Sequence, residues 1–389
     1  MEKRFVYIDN AATTMVRPQA ADILCELTAG GYANASSLYS IGRESALRLK
    51  AARKTIAQLL GAKSEREVYF TSGGTESINM AIRGAAKSAG KGHIITTKIE
   101  HPAVLNTIRE LEKSGFEATY LDVGQNGVVN VKSVYDSVRD DTILISVMYV
   151  NNEIGTIQPI AEIAKLAKER GIVFHTDAVQ AAGHIKIDVS DINVDMVSIS
   201  AHKFGGPKGA GALYLRQGVS LEPFITGGEQ EFKKRAGTEN VAAAAAMAKA
   251  LELACENIDS ESVRQAGMRD RLIDGILSAV PHSRLNGDRV QRICSNINIS
   301  FEGIDSESLV LMLDMHGICA SGGSACTAGR GQPSHVLQAL GLSEDLAKGA
   351  LRLSLGENNS DSDVDYILKV LPEAVEKLRR LSPIWSDRQ

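Results

Sequence analysis

Short apolar runs alternate with helix-like stretches between residues 68 and 200. Runs of this length are typical of buried strands. Their alternation with helices predicts a mostly parallel sheet covered by helices, which is an α/β fold. The predicted strands cover residues 68–71, 93–97, 118–123, 142–150, 172–176 and 196–200.

An alanine-rich stretch after Asn240 predicts a closely packed helix that leads into a second domain. We predict a large domain over residues 14–256 and a smaller α+β domain built from residues 1–13 and 257–389. The length of 389 residues is ample for this division, and the sequence contains no internal repeat and no low-complexity linker.

Lys203 lies between an apolar run and a glycine-rich turn, in the stretch Ser198 to Leu215. An ammonium is costly to bury without a partner, but a desolvated lysine is suited to forming a Schiff base with a carbonyl. His202 and Ser200 add donors of the kind that bind phosphate. An aldehyde that carries a phosphate would use all three residues, which indicates pyridoxal phosphate. The alternative is a solvated surface lysine beside a turn.

Asp177 ends a predicted strand, and ligands of open α/β sheets bind beyond the carboxyl ends of strands. A pyridoxal enzyme needs an anion at this place to keep the ring nitrogen protonated. Gln180, three residues further on, is within reach of the ring hydroxyl. The alternative for Asp177 is a turn cap after the strand.

Three more segments follow predicted strands. Gly74 and Thr75 lie where a strand runs through Gly-Gly into a helix, and a helix N-terminus binds anions. His101 can stack on a pyridine ring and move protons, or it can simply cap a helix. Asn152 follows the strand that begins at Thr142 and can contact the oxygen of the ring.

Cys326 lies in a stretch of small residues, Ser-Gly-Gly-Ser-Ala-Cys-Thr-Ala-Gly, which predicts an exposed loop. An exposed thiolate can act as a nucleophile, although an incidental loop thiol is the alternative. The five cysteines form no C-x-x-C pair, so they suggest neither a zinc site nor a disulfide framework. Their apolar or strand-like surroundings predict core or structural positions for Cys25, Cys255, Cys294 and Cys319.

Arg352 lies in an alternating, strand-like segment near the C-terminus. Arginine is suited to the bidentate grip of a carboxylate, which an amino-acid substrate would supply. A surface ion pair on an edge strand is the alternative.

Together these segments resemble the cysteine desulfurases of the NifS/IscS type. The motifs are Thr-Ser-Gly-Gly-Thr-Glu-Ser, Glu-His-Pro-Ala-Val, Val-Asn-Asn-Glu-Ile-Gly, His-Thr-Asp-Ala-Val-Gln, Ser-Ala-His-Lys and Gly-Ser-Ala-Cys-Thr, in this order along essentially the whole chain. The resemblance implies the class-V aminotransferase-like, fold type I architecture of pyridoxal phosphate enzymes. It also implies a homodimer that converts L-cysteine to L-alanine and keeps the sulfur as an enzyme persulfide.

The resemblance assigns a role to each matching residue. It implies that Lys203 binds the cofactor aldehyde, that His101 stacks on the ring, and that Cys326 is the catalytic cysteine. The remaining cofactor contacts would be Gly74, Thr75, Asn152, Asp177, Gln180, Ser200, His202 and, reaching the phosphate of the partner subunit, Thr238; the substrate carboxylate would be held by Asn34 and Arg352.

The sequence departs from the family pattern at a few places. Tyr39 stands where the family often has a histidine, and Phe232 and Lys233 replace an arginine and a glycine in a stretch expected at the dimer edge. The sulfur acceptor therefore stays open between an iron–sulfur scaffold, transfer-RNA thiolation and cofactor sulfuration. No resident metal is predicted, although Cys326 could ligate an iron–sulfur cluster transiently.

The formal net charge of −4 and the lack of a basic run argue against nucleic-acid binding. No apolar stretch approaches the roughly 18 residues of a membrane span, and there is no signal-peptide core, so we expect a cytoplasmic protein. The alternatives within the same scaffold are a selenocysteine lyase, a kynureninase-like lyase or an aminotransferase. A non-catalytic sulfur-transfer partner is the alternative from another class.

Overall fold

The computed structural model describes residues 4–322, 333–382 and 385. In the described chain the strands are β1 (Val6–Tyr7), β2 (Val68–Thr71), β3 (His93–Thr97), β4 (Glu117–Leu121), β5 (Thr142–Ser146), β6 (Val173–Asp177), β7 (Met196–Ser200), β8 (Gly211–Leu215), β9 (Ser283–Leu285), β10 (Asn296–Phe301), β11 (Ile318–Cys319), β12 (Ser321–Gly322) and β13 (Ala350–Ser354). The α-helices are α1 (Pro18–Ala29), α2 (Ser40–Leu59), α3 (Gly74–Ala89), α4 (Pro102–Glu112), α5 (Val131–Asp136), α6 (Ile160–Glu169), α7 (Val189–Ile192), α8 (Val241–Glu256), α9 (Ile258–Ala279), α10 (Ser306–Met315), α11 (His335–Ala339), α12 (Glu344–Lys348) and α13 (Asp361–Leu381).

The larger sheet has the strand order β2-β8-β7-β6-β5-β3-β4. Strand β8 is antiparallel to both of its neighbours, and every other pairing is parallel. This confirms the predicted α/β fold with a mostly parallel sheet. All five residues of β7 are buried, because helices cover both faces of the sheet and no face is left for water.

The predicted strands agree with the observed ones in order and position, with differences at their ends. The predicted strand 142–150 stops four residues early, at Ser146. The side chain of Asn151 explains the turn that follows, because its Oδ1 accepts the N–H groups of Glu153 and Ile154 at 2.9 and 3.0 Å. A side chain that binds main-chain donors in this way competes with the ladder of a sheet.

The smaller sheet is antiparallel, with the order β12-β13-β10-β9. Near it, β1 pairs in parallel with β11, so the first residues of the described chain join the C-terminal third. Val6 and Ile8 are buried in one apolar cluster with residues of α9, β10, β13 and α13. The N-terminal segment was predicted to join this part of the chain; the domain boundaries themselves, at residues 13 and 256, stay predictions.

One sequence expectation about a side chain is wrong, and one alternative that the sequence left open is excluded. Cys25 was expected in the core, but it is exposed on α1. Arg352 lies in strand β13 as predicted, yet β13 has neighbours on both sides and the side chain is only 2% exposed. The alternative of an edge-strand surface arginine is therefore excluded.

Candidate active site

A cavity of about 280 Å³ opens at the carboxyl ends of β5, β6 and β7. This volume is near the lower end of the range for small-molecule sites, and the place is where open α/β sheets bind ligands. The sequence-predicted residues that line it are Gly74, Thr75, His101, Asn152, Asp177, Gln180, Ser200, His202, Lys203 and Arg352. The fold thus brings together ten residues, nine from five of the quoted motifs and Arg352 from its own segment.

Lys203 occupies a short 3-10 turn directly after β7. Its Nζ donates to the carbonyl oxygens of Ala11 at 2.6 Å and Ala12 at 2.8 Å. Its own carbonyl oxygen lies 3.1 Å from Nε2 of the partly buried His184. These contacts fix both the main chain and the amine of the lysine at the cavity wall.

Asp177 is the last residue of β6 and is buried. Burial raises the pKa of this carboxyl to about 6, while the N–H of Val179, 3.0 Å from Oδ1, and the charge of Lys203 lower it. A buried carboxylate of this kind is best stabilised by a cation that enters the cavity. A protonated ring nitrogen is such a cation.

The N-terminus of α3 supplies an anion site beside these two residues. Gly74 is its first residue, and a Cβ built there would lie 2.8 Å from Cγ2 of Val179 and 3.4 Å from Cβ of the buried Ser200. A side chain at position 74 would therefore collide with Val179, and glycine lets the helix begin this close to it. The free N–H groups of the first turn, with the hydroxyls of Ser200 and Thr75, form a set of donors suited to phosphate.

Two histidines of the cavity are neutral at physiological pH. Burial, with Lys203 and His335 nearby, lowers the pKa of His101 to about 4. Burial, with Lys203 and Lys208 nearby, likewise lowers the pKa of His202 to about 4. The Nδ1 atom of His101 accepts the N–H of Ala103 at 3.1 Å, so the ring proton is on Nε2.

Arg352 reaches the same cavity from the smaller sheet. Its Nη1 donates to the carbonyl oxygen of Asn152 at 3.0 Å, and its Nη2 donates to Asp9 at 2.7 Å. Its Nε is buried and has no hydrogen-bond partner among the described residues. A buried guanidinium with unused donors is a receptor for a carboxylate.

The sequence reasoning missed several contributors to this cavity. Ala11, Ala12 and Asp9 belong to the segment Tyr7-Ile-Asp-Asn-Ala-Ala-Thr, for which the sequence analysis predicts no role. Ala11 also accepts Nε2 of Gln180 at 3.0 Å. Main-chain acceptors leave no trace in residue type, so only the family motif itself could have drawn attention to this segment.

The chain matches the family model described as aminotransferase class-V over residues 6–367. It is 51% identical to a cysteine desulfurase IscS of Methanosarcina thermophila over 386 residues, which are 98% of this chain and 95% of that protein. A solved NifS-like protein superimposes with a TM-score of 0.91 at 36% identity, covering 96% of this chain and 100% of the other. The solved structure titled SspA in complex with cysteine has a TM-score of 0.80 at 36% identity, covering 90% and 98%.

The chain belongs to the cysteine desulfurase family of class-V aminotransferases. The recognition made from its motifs is confirmed, and so is the fold type I architecture. None of the helices in the described ranges is both long and apolar enough to cross a membrane. No group of three or more His, Cys, Asp or Glu in those ranges is arranged to hold a metal ion.

Two residues that the desulfurase resemblance singled out, Asn34 and Thr238, do not line the cavity, and a third is not among the described residues. Asn34 is exposed, and its Oδ1 accepts the N–H of Ser36 at 2.8 Å. Thr238 is also exposed and borders a separate hollow with Arg235. Cys326 lies outside the described residues. The roles of these three residues stay predictions.

Proposed function

We propose that this chain is a pyridoxal-phosphate-dependent cysteine desulfurase that releases L-alanine from L-cysteine and keeps the sulfur as a persulfide on Cys326. One observation carries the proposal: Lys203, Asp177 and Arg352 meet in one cavity. An amine for an aldehyde, a carboxyl for a ring nitrogen and a guanidinium for a carboxylate are what an amino-acid-converting pyridoxal enzyme requires.

The residues of the cavity fit this cofactor. The phosphate would lie at the N-terminus of α3 with Thr75, Ser200 and His202, and the aldehyde would bind Lys203. Asn152 and Gln180 are suited to the ring hydroxyl. Glycine at position 74 leaves open the space that a Cβ would close, since that Cβ would be 2.8 Å from Val179. When bound, the cofactor supplies an electron sink for the substrate carbons.

Asp177 and His101 complete the cofactor contacts. A cationic ring nitrogen beside Asp177 would favour its carboxylate form and so offset the burial that raises its pKa to about 6. The neutral imidazole of His101 is suited to lie against the face of the ring, because it brings no positive charge there.

Arg352 is the residue that we assign to the substrate carboxylate, together with Asn34. We assign removal of the α-proton of the substrate to Lys203. His101 is less suited to act as this base, because its Nδ1 already accepts the N–H of Ala103 and its Nε2 carries the proton.

Cys326 takes the sulfur. Its thiolate attacks the sulfur of the substrate, the S–S bond forms, and the carbon–sulfur bond breaks with its electron pair staying on the carbon side. Protonation of that carbon, and return of the α-proton from Lys203, give L-alanine, and Cys326 is left as the persulfide. The sulfur then passes to an acceptor protein, such as an iron–sulfur scaffold.

We also propose a homodimer in which Thr238 contacts the phosphate held by the partner subunit. Large apolar side chains are exposed in the regions around Asn34 and Thr238, which supports a contact with another subunit there. They are Tyr32, Leu38, Tyr39, Ile41, Phe224 and Phe232.

Absorption spectra of the purified protein before and after addition of L-cysteine test the proposal, with alanine and persulfide quantified. We expect a protein yellow with bound cofactor that forms one alanine per sulfur transferred. Cys326→Ala should keep the colour and lose alanine formation, whereas the control Cys25→Ala, at an exposed cysteine, should keep both.

The outcomes separate the alternatives. A colourless protein that pyridoxal phosphate cannot reconstitute would contradict the cofactor assignment. A yellow protein that releases alanine only from L-selenocysteine would instead indicate a selenocysteine lyase.

A further inference from the structure

Within the described chain, Arg352 forms an ion pair with the carboxylate of Asp9. Its Oδ1 accepts Nη2 of Arg352 at 2.7 Å, and its Oδ2 accepts the hydroxyl of Ser321 at 2.7 Å. Ser321 and Arg352 face each other as register partners on β12 and β13. Asp9 therefore bridges two side chains on neighbouring strands.

The main chain on both sides of Asp9 is also fixed by hydrogen bonds. The carbonyl oxygen of Ile8 accepts the N–H of Ser354 at 2.8 Å, and the N–H of Asn10 donates to the carbonyl oxygen of Ser354 at 3.2 Å. Ser354 lies two residues after Arg352 on the same strand, so both side chains leave the strand on the same face. Asp9 thus meets the guanidinium from a rigid backbone.

The same short segment also contacts Lys203. Two and three residues after Asp9, the carbonyl oxygens of Ala11 and Ala12 accept its amine. One stretch of four residues thereby touches the group assigned to the amine end of the substrate and the group assigned to its carboxylate. These two groups come from different sheets, and this segment sets the distance between them.

We propose that Asp9 is a positioning residue that fixes the guanidinium of Arg352 for the carboxylate of the substrate. This role depends on the hydrogen-bond geometry of Asp9 and not on its charge. By charge alone, the carboxylate of Asp9 would compete with the carboxylate of the substrate for the guanidinium of Arg352. The inference rests on the proposed function, since it needs Arg352 to bind a carboxylate.

Two variants of Asp9 separate geometry from charge. Asp9→Asn keeps the shape and an acceptor oxygen for Arg352, and its amide can donate to Ser321, because a hydroxyl also accepts. Asp9→Glu keeps the charge but moves the carboxylate by one methylene. The measurement is a spectral titration of the cofactor-loaded protein with L-alanine and with L-alaninamide, which lacks the carboxylate.

We expect Asp9→Glu to weaken L-alanine binding about tenfold, which corresponds to one hydrogen bond to a charged group, and to change L-alaninamide binding less than twofold. Asp9→Asn should bind both ligands within about threefold of the wild type. In turnover, Asp9→Glu should raise KM for L-cysteine more than it lowers kcat.

The reverse order, with Asp9→Asn impaired and Asp9→Glu normal, would overturn the geometric role. Equally weakened binding of both ligands would show that Asp9 has only a structural role.

Asp195→Glu is the matched control. The carboxylate of Asp195 pairs with Arg216 at 3.1 Å at the far end of β7, so this variant should leave both titrations unchanged. A wild type that makes no alanine from L-cysteine contradicts the proposed function, whereas an active wild type with unaffected variants contradicts the role of Asp9 alone.

Discussion

Lys203 and Arg352 enter the same cavity from different sheets, and their surroundings differ. Lys203 donates to two neutral carbonyl oxygens, whereas Arg352 is paired with the carboxylate of Asp9. A lysine amine can lose its proton and act as a nucleophile, but a guanidinium keeps its proton at any accessible pH. The two residue types thus match the tasks assigned to them: a reactive amine on one side and a permanent cation on the other.

The carboxyl groups of Asp177 and Glu100 also differ from that of Asp9. Asp177 and Glu100 are buried beside the larger sheet, and burial raises the pKa of the first to about 6 and that of the second to about 8. Asp9, near the smaller sheet, is held in an ion pair. Asp177 and Glu100 are therefore acids that can be neutral, whereas Asp9 accepts a hydrogen bond from the charged guanidinium of Arg352.

Removing the amine should have the largest effect. We expect Lys203→Ala to lower alanine formation by about 10⁴-fold or more, as loss of a central catalytic group does in other enzymes. Lys208→Ala is the control, because Lys208 is exposed in the same glycine-rich turn. Turnover of Lys203→Ala within tenfold of the wild type would show that the two cations do not differ in the way we argue.

Glu100→Gln should change how stability depends on pH. Oε1 of Glu100 accepts Thr97 and the N–H of Met148, and its buried Oε2 has no partner in the described chain. An acid whose pKa is raised by folding binds its proton more tightly in the folded state. Its contribution to stability is therefore lost as the pH rises from the ordinary value of 4.5 to about 8.

Denaturant unfolding at pH 5 and pH 8 measures this slope. Between pH 5 and pH 8, we expect the free energy of unfolding of the wild type to fall by about 3 kcal/mol more than that of Glu100→Gln. The exposed Glu169→Gln should keep the slope of the wild type. Equal slopes in the wild type and in Glu100→Gln would mean that Glu100 is charged in the folded protein throughout this range.

Arg352→Lys tests the carboxylate side. We expect kcat/KM for L-cysteine to fall about 100-fold with the cofactor still bound, because an ammonium cannot reproduce the planar set of donors that Asp9 and Asn152 orient. Arg216→Lys, which alters the pair with Asp195 away from the cavity, is the control. A drop below tenfold would indicate that charge alone holds the substrate.

The cavity residues that follow strands could be predicted from the sequence. The contacts that position these residues could not. Lys203, Asp177 and His101 were found because each ends or follows a strand-like run with a motif around it. The pair of Asp9 and Arg352 was not predicted, since the two residues are 343 positions apart. Their segments meet through long-range pairings, of β1 with β11, of β12 with β13, and of Asp9 itself with Ser354 at the end of β13. Glu100 was quoted only as the residue before His101, because its neutral state follows from burial.

The smallest effect should come from a turn that lies away from both cations. Glu231, Phe232 and Lys233 have φ values of +45°, +53° and +68°. The buried pair of Glu231 with Arg53, at 2.6 Å, and the edge-to-face contact of Phe232 with Tyr69, at 5.8 Å between ring centroids, hold this left-handed turn. Lys233 stands where the family has a glycine, and its ammonium forms an exposed ion pair with Glu229.

Lys233→Gly should therefore raise the free energy of unfolding by about 1 kcal/mol, because glycine adopts a positive φ without the steric cost that other residues carry. The exposed pair that it loses contributes little. Lys234→Gly is the control with the opposite sign. The φ of Lys234 is an ordinary −95°, so glycine there adds unfolded-state entropy, and it also removes the hydrogen bond from the Lys234 ammonium to the carbonyl oxygen of Leu221. This variant should lower stability by about 1 kcal/mol or more. If both variants destabilise the protein equally, the left-handed turn costs nothing. The departure from glycine at position 233 would then have no energetic consequence for the fold.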